Sequence, residues 1–293
     1  MRYGVTLPLG PRFVSPEAIR TLAQAIEELG YDTIWVSDHI IVPEGSSYIP
    51  EMFDEPLAVL AYLAAATSHV SLGTSVLVVP YRDPVFTAKS LSTIDLLSHG
   101  RLIVGAGVGA LEEEFNALSA SYVERGARTD EYIDVWRNLW ETETSSFEGR
   151  FKQYRTMRMY PKSSPDRRGP IPVQIGGNSP VAIRRAARVG DGWQPIHLTV
   201  EELAVGVEQY RALCDEYQRP RGTVCLRRLV SGRVPRGGGG PAPLTGTPDE
   251  VAAQVRAYRD AGLDELMVWV VESTVDAVVA RLRAFMRDVV PRV

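Results

Sequence analysis

The 293-residue chain is poor in the residues that several common enzyme chemistries require. Lys89, Lys152 and Lys162 are its only lysines, and none falls in an apolar, strand-like run. An imine mechanism needs a lysine at the reacting centre, so Schiff-base chemistry is excluded. Histidine is almost as scarce: His39, His69, His99 and His197 are widely separated and no His-x-His pair occurs. A catalytic zinc centre wants several histidines and carboxylates converging on one point, so no metal site is expected. Two cysteines, Cys214 and Cys225, are too few for a disulfide framework and lack ligand spacing, so both are expected as reduced core thiols. Nor is there an excess of positive charge. A net charge of -4 offers no basic footprint for nucleic acid. The apolar run 57–66 is too short to span a bilayer. Met1 and Arg2 lead straight into the first apolar run, which leaves no room for a signal peptide and predicts a cytoplasmic protein.

What the chain has in quantity is alternation. Short β-branched apolar runs at 3–7, 33–37, 70–79, 102–108, 171–175, 192–196, 224–230 and 266–271 are separated by amphipathic helical stretches. Strand, helix, strand order with long connections suits parallel pairing, and eight such units in one chain favour closure into a barrel. The expected fold is therefore α/β, a single-domain (β/α)8 TIM barrel over residues 1–293. About sixty residues separate the fourth and fifth runs, more than such a connection needs, so an insertion is expected at about 110–170. It holds helical patterns at 111–119 and 129–143 and a hairpin-like stretch at 147–154. Pro235, Gly237 to Gly240 and Pro241 predict a flexible loop at about 235–243.

In such barrels function gathers where the strands end. His69 and His99 precede strands and belong to the opposite, stability-determining end, whereas His39 and His197 follow strands two and six. His39, closing the run Trp35, Val36, Ser37, Asp38, His39, is the stronger candidate for cofactor or substrate work, because an imidazole can both give and take a proton. Gly176, Gly177, Asn178, Ser179 and Pro180 join strand five to a helix start, where freed N–H groups and the positive helix end make an anion site. An ordinary helix cap after a tight turn explains the same residues. Gly105, Gly107 and Gly109 have the wrong spacing for a dinucleotide fingerprint but let something flat approach the backbone.

Together these residues resemble the luciferase-like monooxygenase superfamily, barrels that bind FMN or the deazaflavin coenzyme F420. The most specific stretch is GVGALEEEFNALSASYVERGARTDEY at 107–132. Ser37-Asp38-His39, the strand Gly73-Thr74-Ser75-Val76, Gly176-Gly177 and the stretch 246–266 agree with it in order. Ala110 is a departure, since an aromatic often follows these glycines in the family. The resemblance implies that Asp38 and His39 lie beside the flavin ring, with His39 catalytic. It further implies that Ser75 and Val76 form a bulge with a non-prolyl cis peptide behind the ring. Gly107, Val108 and Gly109 would line the ring or ribityl chain, and Gly176, Gly177, Asn178 and Ser179 would hold the phosphate. With 3 lysines among 32 basic residues, arginine supplies the other 29, a bias that suits a GC-rich actinobacterial genome, where the deazaflavin is common. The favoured expectation is an F420-dependent oxidoreductase moving a hydride to or from a small organic substrate. An FMN monooxygenase using oxygen and a non-catalytic flavin-binding barrel are the alternatives, and a homodimer is left open.

Overall fold

The computed structural model describes residues 1–8, 10, 13–45, 53–230 and 240–293. Its strands are β1 (Arg2–Thr6), β2 (Thr33–Val36), β3 (Ser71–Thr74), β4 (Leu77–Val78), β5 (Leu102–Gly107), β6 (Ser145–Glu148), β7 (Gln153–Met157), β8 (Val173–Gly176), β9 (Gly192–Gln194), β10 (Thr223–Leu229) and β11 (Glu265–Trp269). Nine of them form one sheet in the order β3-β2-β1-β11-β10-β9-β8-β5-β4, and pairing of β3 with β5 closes it. All of its pairings are parallel, and β3 and β4 are two parts of one stave, so the barrel has eight staves as expected. The run 70–79, expected as one strand, is broken by a cis peptide between Ser75 and Val76 and ends in a short 3-10 turn, Val79–Tyr81. The physical reason is its neighbour's length. β2 stops at Val36, so Ser75 makes the last ladder bond there and the N–H of Val78 donates instead to the Asp38 carboxylate, at 2.8 Å.

Helices begin where capping chemistry places them. In α1 (Pro16–Glu28) the Ser15 hydroxyl accepts the Ala18 N–H, proline fills the first turn, and Ile19, Leu22, Ala23 and Ile26 bury one face at helical spacing. The remaining helices are α2 (Pro56–Ala66), α3 (Pro84–Leu97), α4 (Glu112–Ala117), α5 (Arg125–Glu141), α6 (Pro180–Val189), α7 (Val200–Glu216), α8 (Pro248–Asp260) and α9 (Val275–Ala284). Thr199 and Thr247 form capping boxes with Glu202 and Glu250. Since α5 packs against α3 and α6, it is the barrel's own fourth helix. The added material in the expected insertion reduces to α4, the antiparallel hairpin β6–β7 and the strap that leads into β8.

Most of the core lies between the helices and the outer barrel wall. A small second cluster, Trp35, Ile103, Cys225 and Met267, fills the lumen. Trp35 fits because Gly4 and Gly73 leave room: a Cβ there would lie 2.5 Å and 2.3 Å from its ring. Its Nε1 donates to Glu265 Oε1 at 2.8 Å. This plug makes the lumen a packed floor and leaves the C-terminal strand ends as the open mouth. Both cysteines are buried free thiols, as expected. Among the described residues no helix is long and apolar enough to cross a membrane. Residues 235–239 of the expected Gly-rich loop lie outside the described residues.

Candidate active site at the barrel mouth

Two polar constellations occupy the mouth between β2 and β5. Asp38 follows β2 and is buried; Arg82 holds both of its oxygens, at 2.7 and 2.8 Å, and reaches on to Glu55 Oε1 at 2.8 Å. Burial pushes the Asp38 carboxyl above its usual range, against the opposing pull of Arg82 and the Val78 N–H. So Asp38 does lie next to His39, but its oxygens are engaged by the scaffold. His39 is partly exposed, and its Nδ1 lies 2.9 Å from Oε2 of the fully buried Glu114. A carboxylate only accepts, so Nδ1 carries the proton in this pair and Nε2 is the ring nitrogen left outside it. Glu114 also accepts from the Tyr81 hydroxyl at 2.8 Å and from the Ile40 N–H at 2.6 Å. Burial, and then Glu114, push the Tyr81 hydroxyl pKa well above its usual range, so it remains a donor. Phe53 packs edge-on against the His39 ring, with centroids 4.8 Å apart.

The wall beside His39 is built around Val76. A Cβ on Gly107 would lie 2.3 Å from Val76 Cγ2, and one on Gly176 2.7 Å from Cγ1. These two glycines therefore make room for the valine first, and the flat surface is the valine they admit. The expected cis bond between Ser75 and Val76 is present. Gly109, at φ +79°, turns the chain over Phe115, which a Cβ would strike at 2.7 Å. Val108 is partly exposed between these two glycines.

At the end of β8 the structure revises the expected phosphate contacts. The Gly177 N–H donates to Gln194 O at 3.1 Å, continuing the β8–β9 ladder, and its carbonyl accepts from the Trp193 indole Nε1 at 2.8 Å. Asn178 is equally committed, its amide bonding the Ile196 carbonyl at 2.6 Å and N–H at 2.9 Å. Ser179 caps α6 through Ala182. What remains for an anion is the backbone N–H of Asn178, Ser179 and Val181, which lies outside the ladder at the positive end of a ten-residue helix.

Glu114, Tyr81 and Arg82 escaped the reading of the sequence. Three consecutive glutamates at 112–114 before the buried Phe115 were the available signal, though helical spacing alone points to Glu112 and the structure turns Glu114 inward. Gln194 and Thr6 escaped it too: Gln194 Oε1 and Thr6 Oγ1 are buried without a hydrogen-bond partner. A flat wall at Val76, a proton-carrying pair at the rim, orphaned polar atoms and an open helix N-terminus fit a tricyclic ring bearing a phosphate-terminated chain.

This is the mouth of a closed parallel barrel, with a polar rim at one side and an open helix N-terminus at another. A family model described as luciferase-like monooxygenase matches residues 1–234, and the chain belongs to that family. It is 35% identical over 193 residues to F420-dependent glucose-6-phosphate dehydrogenase of Amycolatopsis mediterranei (strain U-32), a match covering 63% of this chain and 53% of that one. The chain thus spans about half the length of that curated relative. Among solved structures, monooxygenase RslO1 from Streptomyces bottropensis superposes with a TM-score of 0.82 at 24% identity over 99% of each chain. An F420-dependent secondary alcohol dehydrogenase in complex with an F420-acetone adduct gives 0.80 at 16% identity, covering 99% of this chain and 98% of that one.

Proposed function

We propose that this protein is an oxidoreductase dependent on the deazaflavin coenzyme F420, acting on a small organic substrate bound at the barrel mouth. The observation that carries the reading is the His39–Glu114 pair, set beside the wall that Val76 forms against Gly107 and Gly176. The coenzyme, when bound, would supply the ring carbon that gives or takes a hydride. Val76 would support the ring, with Gly107, Val108 and Gly109 along its edge. The N–H groups of Asn178 and Ser179 would hold the phosphate. Ser75 and Asp38 set the wall and the rim: Ser75 O lies 3.4 Å from the Ser37 hydroxyl, and Asp38 anchors Val78 and Arg82. Glu114 fixes the His39 tautomer, so that Nε2 takes a proton from the substrate as it is oxidised and returns one in the reverse direction. The Amycolatopsis relative, named as F420-dependent, supports the deazaflavin over FMN.

Titration of the purified chain with each coenzyme tests this. Tighter binding of F420 is expected, with turnover that consumes no oxygen. Binding of FMN alone, with oxygen uptake, would replace the proposal by a monooxygenase. Firm coenzyme binding without turnover on any carbonyl or alcohol panel would leave a flavin-carrying barrel.

A further inference from the structure

Opposite the Val76 wall the lumen carries a charge that the protein does not answer. Cys225 of β10 and Met267 of β11 belong to the luminal plug. Side chains alternate along a strand, so Arg227 and Trp269, two residues further towards the mouth, face the same way. The register pairs Arg227 with Met267 and Leu229 with Trp269, and the Arg227 guanidinium carbon sits 5.1 Å from the centre of the Trp269 ring. Among the described residues the Arg227 side chain has no hydrogen-bond or ion-pair partner, and its Nε is buried. Its neighbour Arg228 faces outward and donates to Ala242 O at 2.5 Å. The carboxylates around the lumen are committed elsewhere: Asp38 to Arg82, Glu114 to His39 and Tyr81, and Glu265 to Trp35 and Arg2.

We infer that Arg227, seated against Trp269, recognises an anionic group of the substrate, which therefore carries a carboxylate or a phosphate. This rests on the mouth being the site of a small organic substrate. A guanidinium held against an indole keeps its planar donors aligned for a two-point contact with either anion. In Arg227 only Nε is buried without a partner, while the side chain as a whole stays partly open to the mouth, where an anionic ligand can complete it. Partial burial with no neighbouring carboxylate also pulls the Arg227 pKa below its ordinary value. The coenzyme phosphate is not the fitting occupant, because its donors lie at the N-terminus of α6, past the end of β8, whereas Arg227 rises from the luminal floor.

The test uses the full chain as purified, titrated with benzoate, inorganic phosphate and, as a neutral match, benzyl alcohol, by calorimetry and indole fluorescence. At least one anion should bind saturably, and benzyl alcohol at least about tenfold more weakly. Whichever anion binds more tightly tells carboxylate from phosphate. Arg227→Met should lose about tenfold or more in anion affinity and Arg227→Lys should keep part of it. Trp269→Phe should keep the heat and lose the fluorescence change. Anion binding that is absent in the natural protein, or equal in Arg227→Met, overturns the inference. So does an Arg227→Met protein that loses F420 affinity while keeping its anions. Should the natural chain bind anions through Arg227 but not bind F420, the proposed coenzyme dependence fails and the anion site stands.

Discussion

The two sides of the barrel mouth treat buried polarity in opposite ways. Towards β2 and β5, Asp38, Arg82 and Glu55 hold one another, and Glu114 holds His39, Tyr81 and the Ile40 backbone. Towards β9, β10 and β1, Gln194 Oε1, Arg227 Nε and Thr6 Oγ1 are buried without partners. A polar group satisfied inside the fold is part of the scaffold and sets the direction of its neighbours. One left unsatisfied costs stability until a ligand reaches it. The closed side thus orients the His39 ring, and the open side is where the proposed substrate would sit.

Removing Glu114 should break this contrast most severely. Glu114→Ala leaves the His39 ring, the Tyr81 hydroxyl and the Ile40 N–H without their acceptor, an expected loss of about 3–5 kcal/mol in urea unfolding. Arg227→Met removes a charge that has no partner to strand, and its unfolding free energy should stay within about 1 kcal/mol of the natural protein. Equal losses for the two variants would abolish the distinction between the sides.

His39→Ala should act on turnover and leave the scaffold standing, because the imidazole is the partly exposed member of its pair. A fall of about 10²–10⁴-fold in turnover is expected, with F420 affinity within a few fold. Equal losses in affinity and turnover would make His39 a binding group instead.

The barrel was legible in the sequence because its signals are local. Period-two runs, helical faces and the caps at Ser15, Ser179, Thr199 and Thr247 each declare themselves within a few residues. His39 was legible as a strand-end residue and Ser179 as a helix start for the same reason, whereas Val76, inside the expected run 70–79, came from the resemblance. Glu114 was not, since its partner His39 stands 75 positions away and only the folded chain tells which of three glutamates turns inward. Arg227 and Arg228 look alike in sequence, and strand phase alone decides that one faces the lumen and the other outward. The glycines were legible only in part. Gly107 and Gly176 suggest close approach of a ligand, yet what approaches first is Val76.

That reading of the glycines gives a smaller effect to measure. Gly107→Ala puts a Cβ 2.3 Å from Val76 Cγ2, and overpacking of this kind costs about 1–3 kcal/mol. Adding Val76→Ala should recover most of the loss if the valine is the obstacle. Gly177→Val acts through conformation, since φ is +118° there, and no change at Val76 should rescue it. Rescue of both by the same partner would merge the two glycine roles into one.

The smallest expected effect is a titration that reports on the open side directly. Burial, followed by the positive charges of Arg227 and Arg228, lowers the His197 pKa below its ordinary value. In the window between the ordinary and the folded value the unfolded chain binds the proton and the folded chain does not. Stability associated with His197 is therefore present above about pH 6.5 and lost as the pH falls through the folded value. Arg227→Met removes one of the two charges, so the His197 ring proton signal should titrate at a higher pH by NMR, and the acid-side loss of stability should shrink with it. An anion seated on Arg227 screens the same charge and should move the His197 titration in the same direction in the natural protein, while leaving the Arg227→Met protein unmoved. If benzoate and phosphate shift His197 equally in both proteins, the anions act on some other charge and the open side loses its claimed occupant.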